Sequence, residues 1–228
     1  MDINKILQGV DCSCGRRHEC DIEHVYIEKG ALKRLGALCE GYSRVLIVAD
    51  ENTYGAAGEA TERALGDKVA RKVIFSGKTI LIPDERAIER VRADMYGIDL
   101  IVGIGSGVIQ DLSKYVSFFS GVPYMVVATA PSMDGYASTG AAMILGGMKE
   151  TVGAGLPRAI IADTEVLRNA PIDMIKAGYG DIVGKFSALS DWKLSALVNG
   201  EYICQYIYDV TYQMIENTLG TAEGLLKR

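Results

Sequence analysis

The chain has 228 residues, 49% hydrophobic and 23% charged, with a net charge of −5. That length holds one large domain, or one domain and part of a second, and the composition is ordinary for a globular protein. Acidic and basic residues are mixed, without the basic stripe of a nucleic-acid surface, and no run reaches the ~18 apolar residues of a membrane span. Neither nucleic acid nor a membrane span is therefore expected, while a small anionic ligand remains open. The opening Met1-Asp2-Ile3-Asn4-Lys5 lacks the basic-then-apolar pattern of a secretory signal. Cys12, Cys14, Cys20, Cys39 and Cys204 make an odd count, which suits reduced thiols in the cytoplasm.

A short strand at 24–27 leads into a helix over about 31–39. The run Arg44–Ala49 is continuously aliphatic and β-branched, as in a strand covered on both faces. It ends at Asp50, before a helical stretch over Tyr54–Leu65. A strand over Val69–Phe75 precedes a helix after Pro83, Asp84 and Glu85, where proline and acids suit a first turn. Asp99–Ile104 is the next buried strand, Gly107–Phe119 the helix behind it, and Val122–Ala128 a further strand. This alternation predicts an α/β fold, a Rossmann-like parallel sheet with helices on both faces. Residues 133–162 interrupt it with a hairpin turning at Gly146 and Gly147, and Ala159–Ala162 closes the sheet region. Beyond Asp163 the pattern turns helical, with Ile182, Phe186 and Leu189, then Ile203, Ile207, Val210 and Met214, at helical spacing. The expected organisation is an α/β domain over 1–164 and an incomplete helical domain over 165–228, with too few helices for a core of its own.

Gly103-Ile104-Gly105-Ser106-Gly107 stands where a strand hands over to a helix. Backbone N–H groups freed there, with the helix dipole, suit phosphate oxygens, and glycines let a ligand approach the backbone. The alternative is a tight turn that simply needs glycines. A strict G-x-G-x-x-G fingerprint would put glycine at Val108, and its acid ~20 residues downstream is missing, since Asp50 lies upstream. Asp111 also reads as a first-turn acid, and Lys114 as a solvated helix residue. The next strand end carries Thr129, Ser132, Asp134, Tyr136 and Ser138. Two adjacent strand ends of this kind favour a ligand site over a loop bonded to its own backbone. Near the start, Cys12, Cys14, His18 and Cys20 put four soft-metal donors within nine residues. That spacing is compressed for zinc, so a zinc site and a reduced N-terminal turn both stand as readings.

Together, Gly103–Lys114, the Thr-Ala-Pro-Ser-Met-Asp-Gly-Tyr-Ala-Ser run of 129–138, Pro157–Asp163 and Gly178–Lys185 resemble the iron-type alcohol dehydrogenase superfamily. The most similar branch is that of the sn-glycerol-1-phosphate dehydrogenases, to which 129–135 is the specific pointer; Cys-x-Cys-Gly-x-x-His starts occur there too. The resemblance implies the dehydroquinate synthase-like fold and a nucleotide-binding role for 1–164. It implies NAD(P)-dependent, metal-assisted hydride transfer between dihydroxyacetone phosphate and sn-glycerol 1-phosphate, a small phosphorylated three-carbon substrate.

By that resemblance Gly105, Ser106, Gly107, Val108 and Ile109 would line the cofactor's pyrophosphate, with Thr129, Ser132 and Ser138 also on the nucleotide. Asp50 would face the adenosine ribose, favouring the free hydroxyl of NAD, although NADP is also accepted in this branch. Asp134 would contact substrate. Asp181 would be the catalytic metal ligand, for zinc or else nickel or iron, and would touch substrate too. A catalytic zinc needs about three protein ligands, and the two histidines the family supplies from later helices have no counterpart here, because His18 and His24 lie upstream. The expectation is a chain spanning the first two-thirds of such an enzyme, truncated before its metal site is complete. Three readings follow: a glycerol-1-phosphate dehydrogenase, a glycerol or other polyol dehydrogenase, and a remnant that binds NAD(P) without turnover. Asp181 also reads as a helix N-terminal acid paired with Lys185. A homo-oligomer is left open.

Overall fold

The computed structural model describes residues 7–225; Met1–Lys5, read above for a leader, lie outside them. A two-stranded ribbon, β1 (Val10–Asp11) and β2 (Arg17–His18), comes first. Then follow β3 (His24–Glu28), a 3-10 turn (Ala31–Arg34) running into α1 (Leu35–Leu38), β4 (Val45–Asp50), α2 (Glu51–Leu65), β5 (Val69–Phe75) and α3 (Glu85–Arg92). Next are β6 (Leu100–Gly105), α4 (Gly107–Ser120), β7 (Tyr124–Ala128), the hairpin β8 (Gly140–Leu145) and β9 (Met148–Gly153), and β10 (Ala159–Asp163). Four helices follow among the described residues: α5 (Thr164–Leu167), α6 (Ile172–Asn199), α7 (Gln205–Leu219) and α8 (Ala222–Leu225).

Six strands form one parallel sheet in the order β3-β10-β7-β6-β4-β5. Alternate side chains of its central strands point to opposite faces. Val45, Ile47, Ala49, Leu100, Val102 and Ile104 pack with Leu35, Ala57 and Leu65 on one side. Leu46, Val48, Ile101 and Val126 pack with Ile88, Val91, Ile109 and Leu112 on the other. Both faces are covered, so these strands are apolar throughout rather than alternating. Each such buried aliphatic side chain contributes roughly 1.5–3 kcal/mol. The hairpin turns on Gly146 and Gly147, with φ of 58° and 78°, the two positive dihedrals of a tight turn whose twist matches its strands.

Several boundaries differ from the sequence reading. Helix α2 begins at Glu51 rather than at Tyr54, because Asp50 and Thr53 form a reciprocal capping box. Strand β10, the last of the sheet in chain order, lies between β3 and β7. Its Asp163 caps α5 through Glu165 N–H and also accepts from the N–H groups of Gly30 and Leu32, joining the turn after β3 to the end of β10. Lys114 is not solvated. The β8–β9 hairpin covers α4, leaving Lys114 1% exposed with its Nζ donating to Gly140 O at 2.7 Å and lying 3.4 Å from Asp111 Oδ1. Burial pushes the Lys114 pKa down and that of Asp111 up. In α7 the inward residue is Ile215, whereas Met214 is exposed and Ile203 precedes the helix. The ribbon β1–β2 was not legible at all. No helix among the described residues is long and apolar enough to cross a membrane.

Candidate functional site

The strand order reverses between β4 and β6: from β4 the chain steps outward to β5, then returns over β4 to β6 and continues through β7 to β10. In parallel α/β sheets a crevice opens at the C-terminal ends of strands at such a reversal. A cleft of about 510 Å³ lies there, between Asp50 at the end of β4 and Ser106–Ile109 at the start of α4. Ser132, Met133 and Ser76–Leu81 also line it. A second cleft, of about 540 Å³, adjoins it through Asn52, Thr53 and Met174 and reaches Thr129.

The helix N-termini around this edge are not alike. α2, α3 and α5 are capped by the carboxylates of Asp50, Asp84 and Asp163. α4 has no side-chain cap, since the Ser106 hydroxyl is hydrogen-bonded to Ser132 Oγ instead. The unfilled positive end of a 14-residue helix therefore faces the cleft without an acid to neutralise it. The three loop glycines differ in what they make room for. A Cβ on Gly103 or Gly105 would fall 2.6 Å from Ser113 Oγ or Ile109 Cβ, so these two let α4 lie close against β6. A Cβ on Gly107 would meet nothing within 4 Å, and that open space is the cleft itself. The cradle suits the diphosphate of a dinucleotide: N–H donors, a helix dipole and room for close approach.

The loop after β7 is braced from below. Gln110 Nε2 donates to the carbonyls of Gly135 and Tyr136 at 3.0 and 2.9 Å, and Tyr136 Oη donates to Ala130 O at 2.7 Å. Burial raises the Tyr136 pKa and keeps the phenol a donor. Above the loop passes α6. A Cβ on Gly178 would overlap the Pro131 carbonyl oxygen, so only glycine lets the helix come this near. That approach brings Asp181 to the loop, where its Oδ2 accepts from Asp134 N–H at 2.8 Å. Lys185 Nζ contacts Asp134 Oδ2 at 2.7 Å, and this pairing raises the Lys185 pKa.

The expected residues thus gather unevenly. Asp50, Ser106, Gly107, Val108, Ile109 and Ser132 line the main cleft, and Thr129 the adjoining one. Gly105 sits just beneath, its Cα side filled by Ile109. Ser138 lines neither cleft; its hydroxyl bonds Gly140 at the start of β8. One Asp50 oxygen is engaged in capping, with Asn52 and Thr53 N–H groups on Oδ1. Asp181 is no helix N-terminal acid: it lies mid-helix in α6, and Lys185 pairs with Asp134 across the loop. Asn52, Thr53, Lys78 and Met174 were missed, and only the D-x-x-T capping spacing at 50–53 offered a signal.

Asp181 and Asp134 do not by themselves suit a catalytic metal. No histidine or cysteine joins them among the described residues, and Lys185 already neutralises one of the two carboxylates. The donors this chain brings to that point are too few for the three-ligand set of catalytic zinc.

Comparison with known proteins agrees with this fold. The family described as iron-containing alcohol dehydrogenase matches residues 26–171. A glycerol-1-phosphate dehydrogenase (NAD(P)+) of Geobacillus thermodenitrificans is 34% identical over 97% of this chain and 57% of its own length. One from Geobacillus stearothermophilus is 35% identical over 90% of this chain and 53% of its own. The chain spans about half the length of the curated relatives it matches. An iron-containing alcohol dehydrogenase from Thermococcus thioreducens superposes with a TM-score of 0.61 at 19% identity, over 70% of this chain and 50% of that one, which bears on the fold alone. The parallel sheet, the glycine turn at its reversal and the matched span from β3 to the start of α6 together assign the chain to the iron-containing alcohol dehydrogenase family.

Proposed function

We propose that this chain forms the nucleotide-binding part of an NAD(P)-dependent dehydrogenase that interconverts dihydroxyacetone phosphate and sn-glycerol 1-phosphate. The carrying observation is the uncapped N-terminus of α4, open at Gly107, facing a cleft at the sheet's reversal point. The pyrophosphate lies along Gly105–Ile109, held by backbone N–H groups and the helix dipole. Ser132, Thr129 and Ser138 are further nucleotide contacts, the last by resemblance only. The unused oxygen of Asp50 faces the adenosine ribose and favours a free hydroxyl, while Lys78, lining the same cleft, suits a phosphate there. Asp134 and Asp181 border the place where the carbonyl substrate meets the nicotinamide. Bound zinc, nickel or iron would supply Lewis-acid polarisation of the substrate oxygen. Of the donors for such an ion this chain offers Asp181.

The glycerol-1-phosphate relatives, at 34–35% identity, support the phosphorylated substrate over an unphosphorylated polyol. A second reading, nucleotide binding without turnover, is favoured by one observation: no imidazole or thiolate stands beside Asp181 among the described residues. Titration with NADH and NADPH, alongside an assay with dihydroxyacetone phosphate and added Zn²⁺ or Ni²⁺, tests both. Metal-dependent oxidation of the cofactor establishes the dehydrogenase, and binding without turnover establishes the second reading. Absence of any cofactor binding would refute the nucleotide site.

A further inference from the structure

A second group of metal donors lies at the opposite end of the chain's course, apart from the cleft. Cys12 and Cys14 flank the turn between β1 and β2, His18 ends β2, and Cys204 is the residue before α7. The turn is held by Gly15 N–H to Cys12 O at 3.0 Å and Cys12 N–H to Arg16 O at 3.1 Å. It points both cysteines and the imidazole toward the segment linking α6 to α7. Cys12 Sγ lies 3.6 Å from Cys204 Sγ, while His18 Nε2 lies 3.4 Å from Cys14 Sγ and 3.3 Å from Cys204 Sγ. All four donor atoms fall within 4.8 Å of one another.

Those separations match one ion. Tetrahedral zinc with bonds of ~2.3 Å to sulfur and ~2.0–2.1 Å to nitrogen sets sulfurs about 3.8 Å apart and sulfur about 3.6 Å from nitrogen. Four such groups converge from segments up to 192 residues apart, although the ribbon and the α6–α7 segment share no strand. The surroundings are those of a ligand shell. Tyr202 Oη donates to Cys14 Sγ at 2.9 Å, the kind of outer hydrogen bond that orients a thiolate ligand. Arg16 stacks on the Tyr202 ring at 3.6 Å, and the His18 ring stacks on Tyr206. Cys204 is 1% exposed and the other three are half-buried.

We propose that Cys12, Cys14, His18 and Cys204 bind one structural Zn²⁺, which fastens the N-terminal ribbon to the α6–α7 junction. Four protein donors fill the tetrahedron and leave no position for water or substrate, so the site is structural rather than catalytic. Two soft thiolates in one turn, a third from afar and an imidazole select zinc over magnesium or calcium. Cys20, the fourth donor suggested by the sequence spacing, is outside the group; Cys204 takes its place.

The test uses the full chain, purified under reducing conditions and loaded with Zn²⁺ or Co²⁺ alone. Elemental analysis should find one tightly held zinc that survives dialysis. The Co²⁺ form should show a thiolate-to-cobalt charge-transfer band and the visible bands of a tetrahedral ion. A metal held by Asp181 would have no sulfur donor and no such band, which separates the two sites. Cys204→Ser and Cys14→Ser should weaken binding of the ion and reduce the band, which scales with the number of thiolates, and Cys20→Ser should leave it intact. If the ligand variants fail to fold, X-ray absorption on the unaltered zinc protein should still report three sulfurs and one nitrogen. Absence of the charge-transfer band, equal loss in Cys20→Ser, or a Cys12–Cys204 disulfide in the reduced-purified protein would overturn the proposal.

Discussion

Ala substitutions at Gly105 and Gly107 should separate packing from ligand approach within a single loop. At Gly105 the added methyl would lie 2.6 Å from Ile109 Cβ and 2.8 Å from its Cγ1. Neither atom is the free end of a flexible chain, and Ile109 is only 3% exposed, so the first turn of α4 must lift from β6. Overpacking of this kind costs about 1–3 kcal/mol, and 2 kcal/mol in a chain of this size lowers Tm by roughly 4–8 °C. At Gly107 the methyl meets nothing within 4 Å and the backbone needs no positive φ. Alanine there should leave stability unchanged or raise it by a few tenths of a kcal/mol, as helix propensity allows. The same methyl would occupy the space through which a phosphate reaches the N–H groups. NAD(P)H affinity should fall by about tenfold or more, that is ~1.4 kcal/mol. Thermal melts read the first effect and fluorescence titration with NADH the second. A Gly107→Ala protein that binds the cofactor like the parent, or a Gly105→Ala protein that melts with it, would refute this division of roles.

Gly178→Ala should force α6 away from Pro131 O; we expect loss of the Asp134–Asp181 contact and about 1–3 kcal/mol of stability, read by urea unfolding and by protection of the Asp134 amide from exchange. Asp84 caps α3 through Ala87 N–H, and that bond with Arg86 nearby holds its carboxyl below the ordinary 3.8. Its stabilisation is therefore complete above about pH 4 and lost as pH falls through the lowered folded value. Asp84→Ala should cost ~1 kcal/mol at pH 7 and less as the parent's carboxyl becomes protonated, so a penalty that does not shrink as pH falls below about 4 would count against the assignment. Thr61 is fully buried with its hydroxyl unpartnered. Thr61→Val should keep the shape, drop the unmet donor and raise stability by ~1 kcal/mol, and a clear loss in denaturant midpoint would show that the hydroxyl has a partner.

Much of the fold was legible from residue pattern. Val45–Ala49 and Leu100–Ile104 are apolar at every position, which only a strand buried on both faces requires, and Gly146-Gly147 could hardly be other than a hairpin turn. The glycine turn and the 129–138 loop marked the ligand edge, because strand ends in parallel sheets are where freed N–H groups collect. Strand order was not legible, since β10 and β3 carry no local sign that they pair, and pairing partners are chosen by the sheet as a whole. Burial of Lys114 was equally hidden. It depends on a hairpin that folds back from 26 residues away, and a helix-surface lysine looks the same in sequence whether or not something covers it. Asp181 could be named from its motif, but its contact with Asp134 exists only because Gly178 lets α6 touch the Pro131 carbonyl. The cysteines show the division most plainly. Sequence spacing grouped Cys12, Cys14 and His18 with the neighbouring Cys20, whereas the folded chain turns Cys20 away and brings in Cys204. A tetrahedron of donors is a condition on distance in space, and distance along the chain does not constrain it.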